Sequence, residues 1–211
     1  MPKKALQPTA RPARGRPRAF DVDAVAEAAL RLFWERGFEA TSLEDVTERT
    51  GVNASSLYAA YGSKRGLFGA ALDRYRQFVG EALVVLAEGD RGLDDVIEFV
   101  SWVRRGITSS DMPSGCLMVN SMVELGATDP ELAEVAAAHR DRIRSALREA
   151  LRRAERSGEI ERRTGAFRAL VVEAALFGAL VTGQASAIAE ADEMLVGLIA
   201  EIKRWRVDSA R

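Results

Sequence analysis

The sequence predicts an all-α protein of about nine helices, a small N-terminal unit of short helices followed by a larger C-terminal bundle. Three observations predict it. Ala, Leu, Glu and Arg, which lose little freedom in a helix, dominate a chain with only six prolines. Apolar residues recur at helical spacing in almost every segment. Capping residues and glycines punctuate those segments where helices have to start and stop.

Residues 1–19 are rich in Pro, Arg and Ala and lack the apolar residues needed to order themselves, so they are expected to form a flexible arm. Phe20 and Val25 bracket Asp21 as a hydrophobic staple brackets an N-cap, opening a first helix that runs to about Arg36. Val22, Val25, Ala26, Ala29 and Phe33 line one side of it, and Gly37 is suited to end it. Thr41 with Glu44 reads as a capping box for a short second helix, about 42–50. Gly51 then permits a tight turn, Val52 supplies an apolar contact, and Asn53 caps a third helix of about 54–60. Two short helices joined by a glycine turn form the helix-turn-helix pattern. A long helix of about 64–87 carries the stripe Leu67, Phe68, Ala71, Leu72, Tyr75 and Phe78 and is expected to link the two units. Further helices are expected at about 93–109, 115–126, 130–157, 165–189 and 192–206. Pro130, at a first helical position, marks one start clearly.

The composition excludes several classes of function. Of 211 residues, 47% are apolar and 29% charged, ordinary values for a folded soluble chain. The longest apolar stretch, Ala169 to Val181, is broken by Glu173 and is shorter than the ~20 residues of a bilayer span. The basic N-terminus is followed by an amphipathic segment, not by the short apolar core of a signal peptide, so a cytoplasmic location is expected. With one cysteine, Cys116, and one histidine, His139, neither an internal disulfide nor a zinc site is expected. No glycine-rich phosphate loop or nucleophile elbow is present, so neither an enzyme nor a cofactor is expected. The net charge of −1 hides a local +6 over residues 1–20, where Lys3, Lys4, Arg11, Arg14, Arg16 and Arg18 stand without an acid.

Three blocks carry more specific information: Ala-Leu-x-Leu-Phe-x-x-x-Gly-Phe at the end of the first helix, Thr-Ser-x-x-Asp-Val at the start of the second, and Gly-Val-x-x-x-x-Leu-Tyr-x-x-Tyr-x-Ser-Lys-x-x-Leu-Phe across the third. With this spacing, Gly15 to Tyr75 resembles the N-terminal DNA-binding domain of the TetR family of bacterial transcriptional regulators. A recognition helix presents small polar or aromatic side chains to base edges at its N-terminal turn, and Ser55, Ser56 and Tyr58 fit that demand, while Val52 and Leu57 are expected to pack. The resemblance implies phosphate contacts by Thr41, Tyr58 and Lys64, with Tyr61 in the same DNA-facing set. Ala54 and Ala59 stand where the family often has polar residues, so part of the affinity is expected to come from elsewhere. Gly15-Arg16-Pro17-Arg18 resembles a minor-groove clamp, giving Arg16 and Arg18 that role.

The resemblance divides the chain into a basic arm (1–19), a DNA-binding domain (20–66) and a ligand-binding and dimerisation domain (67–211). Small residues on the eighth helix, among them Ala174, Gly178 and Gly183, and an apolar stripe on the ninth suit a four-helix homodimer interface, with an intramolecular core as the alternative. Phe78, Phe99, Trp102, Cys116, Met118, Met122 and His139 are the candidate lining of an effector pocket. His139 shares a face with Leu132 and Ile143 and is expected to be a satisfied core residue. The run Ser114 to Asn120 resembles the Gly-Cys-Leu opening of the sixth helix in one branch of the family, where a helix N-terminus would favour a thiolate. The function implied is that of a repressor released from a palindromic double-stranded operator by a small molecule. A thiol sensor using Cys116 and a ligand-free regulator are the alternatives.

Overall fold

A computed structural model describes residues 20–207, which form nine helices. These are α1 (Val22–Arg36), α2 (Leu43–Thr50), α3 (Ala54–Tyr61), α4 (Lys64–Glu88), α5 (Leu93–Thr108), α6 (Leu117–Leu125), α7 (Pro130–Arg156), α8 (Gly165–Gln184) and α9 (Ile188–Arg204). Most starts are set by local chemistry. Asp21, Asn53, Ser63 and Asp129 each accept an amide of the first turn with the side chain, and Pro130 stands at the start of α7.

Two local expectations are corrected. The capping box of α2 is made by Ser42 and Asp45, one residue later than Thr41 and Glu44: Asp45 N donates to Ser42 Oγ at 3.1 Å, and Ser42 N donates to Asp45 Oδ2 at 2.7 Å. The Ser42 hydroxyl, which donates to Asp45 Oδ2 at 2.5 Å, and then the Ser42 amide hold the Asp45 carboxyl below its ordinary value, with Arg36 2.8 Å away adding to the effect. The second correction concerns α8, which ends at Gln184 and not near 189, while α9 begins four residues earlier than expected. The turn between them passes through Ser186 at φ +65°, a left-handed position held by a residue that is neither Gly nor Asn.

The helices share one apolar core. Phe33 of α1 packs edge-on against Phe68 of α4 at 5.0 Å between ring centroids, and Leu57 of α3 is 1% exposed beneath them. In the C-terminal bundle α8 lies between α7 and α9, and α5 packs against α4, α7 and α9. Arg104 of α5 and Asp192 of α9 join through two hydrogen bonds of 2.5 and 3.1 Å. The end of the described chain returns to the bundle, where Val207 N donates to Glu159 O at 2.9 Å and Arg206 reaches both Glu159 and Asp94.

The apolar segment of α8 is longer than expected. At 20 residues it is the one helix among those described that is long and apolar enough to cross a membrane. Here it lies in a helical bundle, and its Glu173, 5% exposed, is bonded to Arg144 of α7.

Candidate DNA-reading helices and effector cavity

The turn from α2 to α3 is fixed by Gly51 at φ +70° and by Asn53, whose Oδ1 accepts Ser56 N at 2.9 Å and the Ser55 hydroxyl at 2.7 Å. Ser55 is exposed, Ser56 half-buried, and Tyr58 is 55% exposed on the outer side of α3. Leu57 and Val52 face the core, as expected. An exposed aromatic beside small hydroxyls on a short, firmly capped helix is the arrangement a groove-reading helix requires.

Three of the candidate DNA-facing residues make contacts within the chain in this conformation. Thr41 is 1% exposed, with its hydroxyl 2.8 Å from Gly37 O and 3.3 Å from Leu32 O, so in this conformation it closes the α1–α2 connection and the exposed hydroxyl at that site is Ser42. Tyr61 donates its hydroxyl to Val22 O at 2.7 Å and pins the end of α3 to the start of α1. Lys64 is half-buried, with Nζ 3.3 Å from Glu39 O and 4.4 Å above the Phe38 ring. The arm residues Arg16 and Arg18 lie outside the described residues.

A contact that local sequence patterns do not signal joins this unit to the rest of the chain. The Glu124 carboxylate, on α6, accepts the backbone amides of Phe38 at 2.8 Å and Glu39 at 2.6 Å. Arg31 of α1 donates to Asp111 O at 2.9 Å, and Arg65 at the head of α4 pairs with Asp129 at 2.8 Å.

A cavity of about 320 Å³ lies among α4, α5, α7, α8 and the segment before α6. Five of the seven candidate lining residues border it: Phe78, Phe99, Trp102, Cys116 and His139. Met118 and Met122 instead border a separate cavity of about 210 Å³, shared with Ala136 and Phe177. Helical period explains the split, since at ~100° per residue Met118 sits ~200° around α6 from Cys116, and Met122 falls on the face of Met118. His139 borders both cavities. Trp34, Tyr75, Arg105 and Glu173 also border the larger one, although nothing in their sequence context marks them as cavity residues. Trp34 belongs to α1, so the wall of the cavity includes the helix that carries the helix-turn-helix.

The aromatic wall is ordered, with Phe78 and Trp102 at 5.2 Å, and Phe99 and Trp102 nearly parallel at 6.0 Å. Tyr75 donates its hydroxyl to Cys116 Sγ at 3.1 Å. Burial pushes the Cys116 thiol up, against the lowering expected at a helix N-terminus, and pushes the Tyr75 phenol well up. His139 is lowered to about 4, by burial first and then by Arg76 and Arg142, so it is neutral at physiological pH. It is 4% exposed and packs against the Tyr75 ring, 5.7 Å between centroids. Glu173 is bonded twice by Arg144, at 2.6 and 3.0 Å.

The family profile described as Bacterial regulatory proteins, tetR family, matches residues 25–71, and that described as Tetracyclin repressor-like, C-terminal domain, matches residues 92–195. The HTH-type transcriptional repressor ComR of Escherichia coli is 35% identical over 149 residues, 70% of this chain and 71% of that protein. The HTH-type transcriptional repressor BdcR of the same organism is 34% identical over 126 residues, 58% of this chain and 61% of that protein. Among solved structures, a cysteine mutant of the TetR family regulator CifR complexed with 26-base-pair operator DNA superposes with a TM-score of 0.77 at 30% identity, over 92% of this chain and all of that one. A TetR regulator from Chloroflexus aurantiacus gives 0.75 at 25% identity, over 87% of this chain and 92% of that one. By its matched profiles, its relatives and its nine-helix fold, the chain belongs to the TetR family of bacterial DNA-binding transcriptional regulators.

Proposed function

We propose that the protein is a cytoplasmic repressor that binds a palindromic operator as a homodimer and releases it when a small molecule fills the cavity between α4, α5, α7 and α8. In this reading residues 20–66 read DNA and residues 67–211 bind the effector and dimerise. The observation that carries it is the composition of the cavity wall, which combines Trp34 of α1 with Tyr75 and Phe78 of α4. A ligand there touches two helices that continue directly into the DNA-reading unit. It releases DNA by preferring a spacing of the recognition helices that the operator does not match, since equal affinity for both states shifts nothing.

Dimerisation through α8 and α9 is supported by an apolar stripe on α8 that this chain leaves uncovered. Phe167, Leu170, Ala174, Gly178 and Val181 follow one another at helical spacing, with Phe167 69% and Val181 52% exposed, and Val196 of α9 is exposed as well. Small residues at the middle of the stripe allow a symmetry mate to approach closely. Ser55, Ser56 and Tyr58 read bases or hold phosphates, and Lys64, Arg16 and Arg18 add cationic contacts to the backbone. ComR and BdcR, both named as repressors, and CifR, complexed with operator DNA, support the sign and the partner.

The test is selection of bound duplexes from a random library with the purified chain, together with sedimentation. Enrichment of an inverted repeat with half-sites about one DNA turn apart, roughly 34–36 Å, or somewhat more if two dimers share a site, and a dimer at micromolar concentration, are expected. A monomer, or a selected site without two-fold symmetry, would overturn the reading.

A further inference from the structure

Taking the larger cavity as the effector site, an inference that rests on the reading above, we infer that its ligand is a planar aromatic acid, a flat ring system carrying one carboxylate beside Arg105. The first observation is shape. At about 320 Å³ the cavity is at the low end of the ~300–1,000 Å³ typical of ligand sites, and Phe78, Phe99, Trp102 and Phe177 line it with flat faces. A bicyclic or small tricyclic ring system suits this space.

The second observation is unmet polarity. Among the described residues one buried polar atom of this wall lacks a partner, Trp34 Nε1, in a residue 6% exposed, and the His139 imidazole, 4% exposed, stands on the same wall. Buried donors are nearly always satisfied, so an unpaired indole N–H in this wall marks a position where an occupant supplies the partner. An indole N–H only donates, so the ligand has to bring an acceptor to Trp34. A neutral imidazole offers one donor and one acceptor and accommodates a hydroxyl or a ring heteroatom.

The third observation is charge. Arg105 and Glu173 are the charged residues lining the cavity. The Glu173 carboxylate is already bonded by two nitrogens of Arg144, whereas exposed Arg105 forms no ion pair among the described residues. An aromatic box without Arg105 would suit a cation, but here the unpaired cation favours a bound anion.

The experiment compares three probes of one shape, naphthoate, naphthamide and naphthylmethylamine, by calorimetry and tryptophan fluorescence on the full chain. Naphthoate is expected to bind roughly ten-fold or more tightly than either of the others, as a charge-assisted hydrogen bond adds ~1.5–3 kcal/mol. Arg105→Gln, at an exposed position, is expected to keep the melting temperature and erase the preference for acid over amide. Trp34→Phe keeps the ring, removes the donor, and is expected to weaken naphthoate roughly three- to ten-fold. Equal or tighter binding of the amide or amine, an Arg105→Gln protein that still prefers the acid, or no binding of any probe would overturn the inference. Operator release is measured separately: selective acid binding without any change in DNA affinity would leave the ligand class standing and defeat the effector reading instead.

Discussion

Glu124 holds the amide of Phe38 at 2.8 Å across 86 residues of sequence, so a helix of the C-terminal bundle ends on the backbone that leads into α2. The adjoining Gly37 has φ +87°, and a Cβ there would lie 2.8 Å from Glu124 Oε2. Glu124→Ala is expected to lower stability by about 1–2 kcal/mol, the usual cost of losing charge-assisted bonds, with an unchanged denaturant slope. Gly37→Ala should be more harmful, since it combines backbone strain with displacement of the carboxylate. In urea titrations the two changes should be less than additive in combination, and strict additivity would show that the carboxylate and the turn do not act together.

Below neutrality the stability of the protein should depend on His139. Its pKa is about 4 folded against 6.5 unfolded, so between these values the unfolded chain binds the extra proton and stability falls as pH falls. The contribution is complete above about pH 6.5 and lost progressively toward pH 4, about 2 kcal/mol of it between pH 7 and pH 5. A His139→Gln protein is expected to lose most of this slope in urea titrations at the two pH values. A slope retained in that variant would assign the dependence to other groups. Asp45 and Asp192, both held below the ordinary carboxylate value, act at lower pH.

Removing either partner of the Arg144–Glu173 pair should not cost the same. The Glu173 side chain is 6% exposed and that of Arg144 is 31% exposed. Arg144→Ala strands a buried carboxylate and is expected to cost about 3–5 kcal/mol, whereas Glu173→Ala leaves a guanidinium that water can reach and should cost less. Chemical denaturation of the two variants gives the order, and the reverse order would mean that the carboxylate finds another partner.

Two tyrosines three residues apart on α3 should separate folding from DNA binding. Tyr61→Phe removes the bond to Val22 O and is expected to reduce stability by about 1 kcal/mol with little change in operator affinity. Tyr58→Ala, at a position 55% exposed, should weaken operator binding while leaving the melting temperature nearly unchanged. Paired melting and gel-shift measurements check both.

The cysteine is expected to be inert in the folded protein. Cys116 is 2% exposed, and its burial raises the thiol pKa despite the opposing hydrogen bond from Tyr75, which disfavours the thiolate. A thiol reagent should react only as fast as the chain opens, and rapid labelling under native conditions would revive the thiol sensor.

What was legible in the sequence was local chemistry and period. Asp21, Asn53 and Asp129 were readable as caps because capping depends on a side chain and the amides two or three residues on. Thr41 and Ser42 are both hydroxyl residues followed three positions later by a carboxylate, and only the burial of Thr41 decides between them. Five cavity residues were named because aromatic and sulfur side chains at core spacing gather in such places. Met118 and Met122 share the chemistry of a cavity lining with Cys116, but the rotation of α6 turns them into the neighbouring cavity. Trp34, Arg105 and Glu124 acquire their positions from packing between distant segments, for which one sequence carries no period. The turn at Ser186 has no breaker residue to announce it.

The continuity of α4 has a mechanical consequence. From Lys64, beside the α1–α2 connection, to Phe78, in the cavity wall, the helix is unbroken, a rod of ~21 Å at 1.5 Å per residue. Rotating such a rod by ~5° about its cavity end swings the other end by ~2 Å, well beyond the few tenths of an ångström that a hydrogen bond tolerates. In the reading proposed above, a ligand therefore needs to move Phe78 hardly at all to spoil contacts more than half the helix away, and the gain of the device is set by the length of α4 more than by the depth of the cavity.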